Sequence, residues 1–249
     1  MKNLIYVCVF YQSDYLVLLE ILLESIYKKG NIQQDTDILI ITLPGFKDII
    51  DPKIEYMKLP IKYYLLDIYD FYESCCSRLR LFEYEDIHLY DNILYLDTDV
   101  LINNDINVLF KQEIDKTKLY AIVEGTINGC YWGSDLFDLT KVDNSTTGFS
   151  SGVLYFKNSP EIRELFSVVR NHIQTYVGQH HTYPEGVDQP FFVYNAISRN
   201  QYDNQFLLEF GENNPTGHNN QKIIYHFPGG IGWFTTKLER MRGFLLQNP

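Results

Sequence analysis

No apolar run in this 249-residue chain approaches the ~20 residues that a bilayer-spanning helix needs, and no long apolar core of a secretory signal stands near its start. Positive charge is also short: 21 Lys and Arg against 32 Asp and Glu leave −11 at pH 7. A nucleic-acid scaffold needs a basic footprint to neutralise phosphates, so that class is excluded. A small anionic ligand is still allowed where a metal or local Arg and Lys offset its charge. Cysteine is scarce. Cys8, Cys75, Cys76 and Cys130 show no metal-like pairing, because adjacent Cys75-Cys76 is not a chelating spacing. Free thiols in a reducing compartment are the default, so the chain reads as soluble and cytoplasmic, with the Asn144-Ser-Thr sequon unused. Internal repeats and low-complexity segments are absent too.

What is present suffices for a substantial core. The length fits one large domain, and 45% hydrophobic content is ordinary for a globular protein. Aromatic content is high at 15%, with 20 Tyr. Tyrosines fill cores with their rings and also stack on bases or sugars, although a compositional habit accounts for most of them. Residues 4–10 predict a buried strand and residues 14–29 a helix, with Asp14 as N-cap and Gly30 as stop. Residues 38–42 form a second strand closed by Pro44-Gly45, and residues 53–59 a third, weaker one. Residues 70–85 read as a helix carrying Arg78 and Arg80. Either both arginines pair with Glu73, Glu83 or Glu85 on its surface, or one faces a phosphate. Residues 120–124 and 223–225 add strands, and residues 125–144 read as a long functional loop or lid. Ser159 caps a helix that starts at Pro160. Short apolar strands alternating with helical patterns predict an α/β domain: a mainly parallel sheet covered by helices.

One stretch organises this frame: Asn92-Ile-Leu-Tyr-Leu-Asp-Thr-Asp-Val-Leu-Ile102. Residues 92–96 suit a strand buried on both faces, and two carboxylates appear where the apolar run stops. With 18 Asp in the chain, an Asp-x-Asp triplet arises by chance roughly once. Asp35-Thr36-Asp37 is that control: it precedes a strand and reads as a solvated turn. Asp97 and Asp99 differ by standing at a strand's carboxyl end, where open α/β sheets place ligands. Gly148-Phe-Ser-Ser-Gly reads as a small-residue turn feeding a strand, and His226-Phe-Pro-Gly-Gly follows the strand at 223–225. Polar groups thus collect at three strand ends: Asp97/Asp99, Ser150/Ser151 and His226. Two carboxylates and one imidazole suit Mn²⁺ or Mg²⁺ with positions left for ligand oxygens, and such an ion would stabilise a departing diphosphate. The chemistry indicated is group transfer from a nucleotide-linked donor.

Leu94-Tyr-Leu-Asp-Thr-Asp-Val-Leu, Phe149-Ser-Ser-Gly-Val-Leu, Gly186-Val-Asp-Gln and Tyr225-His-Phe-Pro-Gly resemble, in order, the motifs of family 8 glycosyltransferases, the glycogenin-like, retaining enzymes of GT-A fold. The resemblance runs from Leu4 to about Trp233. It implies a single domain over residues 1–249, with 1–110 as the nucleotide-binding half and 111–249 as the sugar and acceptor half. It also implies a UDP-sugar donor, a Mn²⁺ (or Mg²⁺) cofactor and a glycan, protein or small-molecule acceptor, with a homodimer allowed. By position, Asp97, Asp99 and His226 match the metal ligands and Arg78 the basic donor contact. Val9, Tyr11 and Tyr15 fall where the family holds uracil and ribose, and Gly229 where an amide meets the diphosphate. Ser150, Glu185, Asp188 and Gln189 fall at the transferred sugar, the last three as the catalytic set. Thr98, Ser151 and Gly232 complete the donor lining. Two positions depart from the family pattern: Ser150 stands where Asn is common, and Gly232 where Lys is common. Without that lysine, diphosphate stabilisation weakens unless Lys237 or Arg240 folds back.

Two retaining schemes are open. Asp188 or Glu185 attacks the anomeric carbon, or the acceptor hydroxyl attacks on the same face and gives its proton to the leaving diphosphate. The second is preferred, since the resemblance makes both carboxylates sugar contacts. A sugar-phosphate nucleotidyltransferase would carry a Gly-rich, basic first loop, which Phe10-Tyr-Gln-Ser-Asp14 lacks. A non-catalytic UDP-sugar-binding protein is the other alternative, and Gly232 speaks for it.

Overall fold

The computed structural model describes residues 2–215, 221–229 and 234–248. The chain opens with β1 (Lys2–Val9), α1 (Tyr15–Lys29), β2 (Thr36–Thr42), α2 (Pro44–Ile54), β3 (Ile61–Leu65) and α3 (Phe71–Cys76). Then come β4 (Tyr90–Leu96), β5 (Val100–Ile102), α4 (Asn107–Phe110), β6 (Leu119–Thr126) and β7 (Thr147–Lys157). They are followed by α5 (Pro160–His180), α6 (Gln189–Ser198), β8 (Tyr202–Asp203), α7 (Phe206–Phe210), β9 (Gly211–Asn213), β10 (Ile224–His226) and α8 (Phe234–Gln247). Seven strands form one sheet in the order β3-β2-β1-β4-β7-β6-β8, and β5-β10-β9 form a smaller one. β1 to β4 are mutually parallel, whereas β7 runs antiparallel to both β4 and β6. No helix among the described residues is long and apolar enough to cross a membrane.

Why the strands are apolar at every position is visible in β1. Leu4 and Tyr6 point to one core, with Tyr95, Phe166 and Phe192, while Ile5 and Val7 point to the other, with Leu19, Leu22 and Leu94. Both faces are covered, so alternation with polar residues would leave a face without its helix. A third cluster joins Leu18 and Ile21 of α1 to Tyr225, Phe227, Met241 and Phe244, which docks α8 beside β10.

Register decides where the site lies. β4 ends at Leu96, paired with Val153 in the middle of β7. The first part of β7 therefore projects past the end of β4, and the Asp97 amide extends the ladder by donating to the Gly152 carbonyl at 2.8 Å.

Several local expectations change. Residues 53–59 are not a strand: α2 runs to Ile54, a 3-10 turn spans Glu55–Met57, and the third strand is β3. Pro44, which closes β2, also opens α2 from its first turn, and Ile50 and Ile54, four apart, bury one helical face. Residues 70–85 are a short helix, α3, capped by Asp70, which accepts from the amides of Tyr72 and Glu73, and then a 3-10 segment, Ser77–Glu83. β7 starts at Thr147, so Ser150 and Ser151 lie inside a strand and not in a turn. Asp37 is no solvated turn residue: it is 6% exposed in β2, with Lys2 Nζ at 3.1 Å and the Tyr90 hydroxyl at 2.9 Å. Among residues 125–144, β6 continues to Thr126, and Trp132 packs where Gly125, Gly129 and Gly148 leave room for its ring.

Candidate active site

Asp97 and Asp99 leave the carboxyl end of β4, and His226 ends β10, brought alongside because β10 pairs antiparallel with β5 in the register His226 to Val100. Ligand atoms of all three lie within 4.8 Å of one another. This closeness requires Gly152: a Cβ there would lie 2.5 Å from His226 Cε1 and Nε2 and 2.9 Å from Asp97 Oδ2.

The imidazole is oriented for coordination. His226 Nδ1 lies 2.8 Å from Asn213 Oδ1, while the Asn213 amide nitrogen faces the Val123 carbonyl at 3.5 Å. That arrangement puts the proton on Nδ1 and leaves the Nε2 lone pair facing Asp99 Oδ1 at 3.4 Å. Asp99 Oδ1 is buried and has no hydrogen-bond donor. An orphaned carboxylate oxygen opposite a bare imidazole nitrogen is a costly pairing unless a cation enters between them, so the residues fit a divalent ion. Asp99 Oδ2 is held by Lys237 Nζ at 2.5 Å. Burial opposes ionisation of Asp99, but the Lys237 ammonium beside it, foremost, outweighs this and holds the carboxyl below the usual range.

Arg78 forms the opposite wall. Its Nη1 donates to the Ser151 carbonyl at 2.6 Å and to Ser151 Oγ at 3.3 Å, and approaches Asp97 Oδ1 at 3.4 Å. The guanidinium lies over the Tyr95 ring, whose hydroxyl donates to Asp97. Burial works against its charge, yet Asp188 and Asp97 overcome this and raise its pKa above the ordinary value. Arg80 pairs with Glu83 at 2.6 Å on the surface. Residues two apart in a 3-10 segment point to different sides, so only Arg78 turns inward.

Asp188 is 2% exposed just before α6, with Oδ2 3.0 Å from Arg78 Nε. The alignment is not that of a hydrogen bond, so Oδ2 has a charge beside it and no donor. Burial pushes its pKa up to about 6; Arg78 lowers it and Asp97 raises it. Gln189 Oε1 accepts from the Ser151 amide at 2.9 Å, and its Nε2 donates to the Tyr131 carbonyl at 3.2 Å. Ser150, 3% exposed, accepts from the Gly152 amide. Glu124 lies beside Ser150, and burial raises the Glu124 pKa.

Not every expected residue joins this group. Glu185 is exposed and accepts from Cys130 Sγ at 2.9 Å. Val9 is buried at the end of β1, and its carbonyl accepts from Thr42 Oγ1. Tyr11 is 47% exposed with φ at 66°, its ring edge-on to Phe71. Tyr15 is half-buried near Lys237, and burial raises its pKa. Thr98 is buried between the two aspartates, and Gly229 is partly exposed after β10. Gly232 lies outside the described residues.

Of the two cations offered in place of a lysine at 232, Lys237 reaches Asp99, whereas Arg240 donates to the Pro228 carbonyl and to Asn214. Sequence reasoning missed Asn213, Glu124 and the steric role of Gly152. Only Gly152 carried a signal, as the third residue of Ser-Ser-Gly. A cleft of about 700 Å³ lies at the opposite ends of β1 and β4, lined by Asn3, Asn31, Asn92 and Asn107. Its amides are mostly tied to one another and to backbone, and it is remote from this chemistry.

A family model described as glycosyl transferase family 8 matches residues 47–192, more than half of the chain. No curated protein sequence matches. Among solved structures, the apo WbbM bifunctional glycosyltransferase superposes with a TM-score of 0.65 at 11% identity, over 99% of this chain and 50% of its own, so the chain spans half of that protein. The galactosyltransferase LgtC, in complex with donor and acceptor sugar analogues, gives 0.60 at 14% identity, covering 98% of this chain and 96% of its own. Mouse xyloside xylosyltransferase 1 in its apo form gives 0.61 at 12% identity, covering 91% and 98%. At these identities the likeness is one of fold: the sheet and its helices are those of GT-A glycosyltransferases.

Proposed function

The chain belongs to glycosyl transferase family 8, and from that membership we propose that it moves a hexose-type sugar from a UDP-sugar to a hydroxyl acceptor, with retention and in dependence on Mn²⁺ or Mg²⁺. The observation that carries this reading is the convergence of Asp97, Asp99 and His226 within 4.8 Å. Asn213 adds support by fixing the imidazole tautomer. A divalent ion held by these three residues would supply Lewis-acid stabilisation of the departing diphosphate.

The remaining roles fall to the chain's own groups. Tyr11, exposed beyond the carboxyl end of β1, offers a ring to the uracil. Arg78, anchored by Ser151, fixes Asp188 and Asp97 on either side of itself. Asp188, turned inward against Arg78, suits orienting a sugar hydroxyl better than attacking an anomeric carbon. We therefore favour attack by the acceptor hydroxyl on the face the diphosphate leaves, with the proton passing to a diphosphate oxygen. On this reading residues 1–110 carry the nucleotide side and 111–249 the sugar and acceptor side. The four cysteines, free in the structure, suit a reducing cytoplasm.

The test is hydrolysis and transfer across a panel of UDP-sugars with and without Mn²⁺, with the anomer of the released sugar read by NMR. Metal-dependent turnover of one donor with retention is expected. Tight UDP binding without turnover of any donor, with acceptors supplied, would leave a binding protein and sink the enzyme reading.

A further inference from the structure

The Lys237 ammonium is buried at the edge of the metal-ligand group, and its side chain retains 11% exposure against 5% for Asp99. A buried ammonium is costly unless paired, and here the partner is Asp99 Oδ2 at 2.5 Å. Asp99 is thus divided: Oδ2 takes Lys237, while Oδ1 faces His226 Nε2 without a donor. Tyr15 and Asp97 also lie within electrostatic reach of the ammonium. Met241 and Phe244 of α8 sit against Tyr225 and Phe227, the residues flanking His226, so one cluster seats both the imidazole and the lysine.

A fixed positive charge at this point has two opposed effects. It lowers the pull of Asp97, Asp99 and His226 on a bare dication, since like charges are brought close. It also attracts an oxyanion that approaches the same carboxylate through a cation. We propose that Lys237 is a diphosphate-binding residue of this chain, and that its ammonium on Asp99 makes occupancy by metal and by diphosphate mutually dependent. The proposal rests on the reading of the site as a metal-dependent UDP-sugar site. It assigns α8 a part in donor binding that none of the motifs at residues 94–101, 149–154, 186–189 and 225–229 carries.

Calorimetric titrations of the full chain with MnCl₂ alone, and of the Mn²⁺-loaded chain with UDP and with uridine, test it, using Lys237→Met and Lys237→Arg beside the parent. For Lys237→Met, Mn²⁺ alone is expected to bind about tenfold more tightly, and UDP about tenfold more weakly, with uridine unchanged. Lys237→Arg keeps the charge and is expected to hold UDP within a few-fold of the parent. Mn²⁺ and UDP affinities both unchanged in Lys237→Met, or both reduced together with uridine, would make the lysine a structural counter-ion and overturn the inference. Should the parent itself bind neither Mn²⁺ nor UDP, the proposed function fails and the inference falls with it, an outcome distinct from the first.

Discussion

Gly152 shows how much one missing side chain can decide. A single methyl there would overlap the His226 ring at 2.5 Å and crowd Asp97 Oδ2 at 2.9 Å. Gly152→Ala is expected to weaken Mn²⁺ binding by about a hundredfold while costing the fold only about 1–3 kcal/mol, as calorimetric titration and urea unfolding would report. Asp188 carries a different signature. The chain reaches it through Gly186 and Val187 at φ of 82° and 53°, a left-handed turn that a β-branched residue enters at a cost of about 1–3 kcal/mol. Its carboxyl then holds a proton up to about pH 6 because it is buried. Below pH ~4 it is protonated folded and unfolded; between ~4 and ~6 only the unfolded chain ionises, so its contribution to stability falls as pH rises. Relative to Asp188→Asn, the metal-free parent is expected to lose about 3 kcal/mol between pH 4 and 7. Urea titrations at each pH measure this, and a flat difference would contradict it.

At the scale of elements, the candidate site is a product of unequal strand lengths. β7 outruns β4, and its projecting half carries Ser150, Ser151 and Gly152 past the point where Asp97 begins. The small sheet completes the arrangement: β9 lies parallel to β10 with His226 in register with Asn213. Removing the acceptor for the imidazole N–H in Asn213→Ala is expected to cost about tenfold in Mn²⁺ affinity with little change in melting temperature, measured by titration and scanning fluorimetry. Legibility differs between these elements for physical reasons. β1, β4 and the N-terminus of α5 were readable because continuous apolar runs and a Ser-Pro cap are local signals. β8 and β9, of two and three residues, have no local pattern at all and exist only through their partners. The error at residues 53–59 arose because β3 is only partly buried and α2 shows just Ile50 and Ile54 inward.

Across the whole molecule, two cores sandwich the seven-stranded sheet and a third holds α8 against α1 and the small sheet. Met241, fully buried, is central to the third. Met241→Ala is expected to cost about 2–5 kcal/mol in urea unfolding. Because α8 carries Lys237, the same variant is expected to weaken UDP binding to the Mn²⁺-loaded protein. A variant as unstable as this but with unchanged UDP affinity would separate α8 packing from donor binding. The net charge of −11 leaves the protein anionic, so local cations at the site, Arg78 and Lys237, must offset any diphosphate.

By itself the sequence determined the layered α/β architecture and the family, because buried parallel strands and ordered motifs are written in consecutive residues. It also marked Asp97, Asp99 and His226 as candidates at strand ends. Only the tertiary structure decided that Arg78 turns inward while Arg80 does not, and that Glu185 stands apart. It also decided that Asn213 aims the imidazole and that Lys237, some 138 positions beyond Asp99, takes one of its two oxygens. Those facts depend on register and on helix docking, which are set by contacts between distant segments and leave no trace in local spacing.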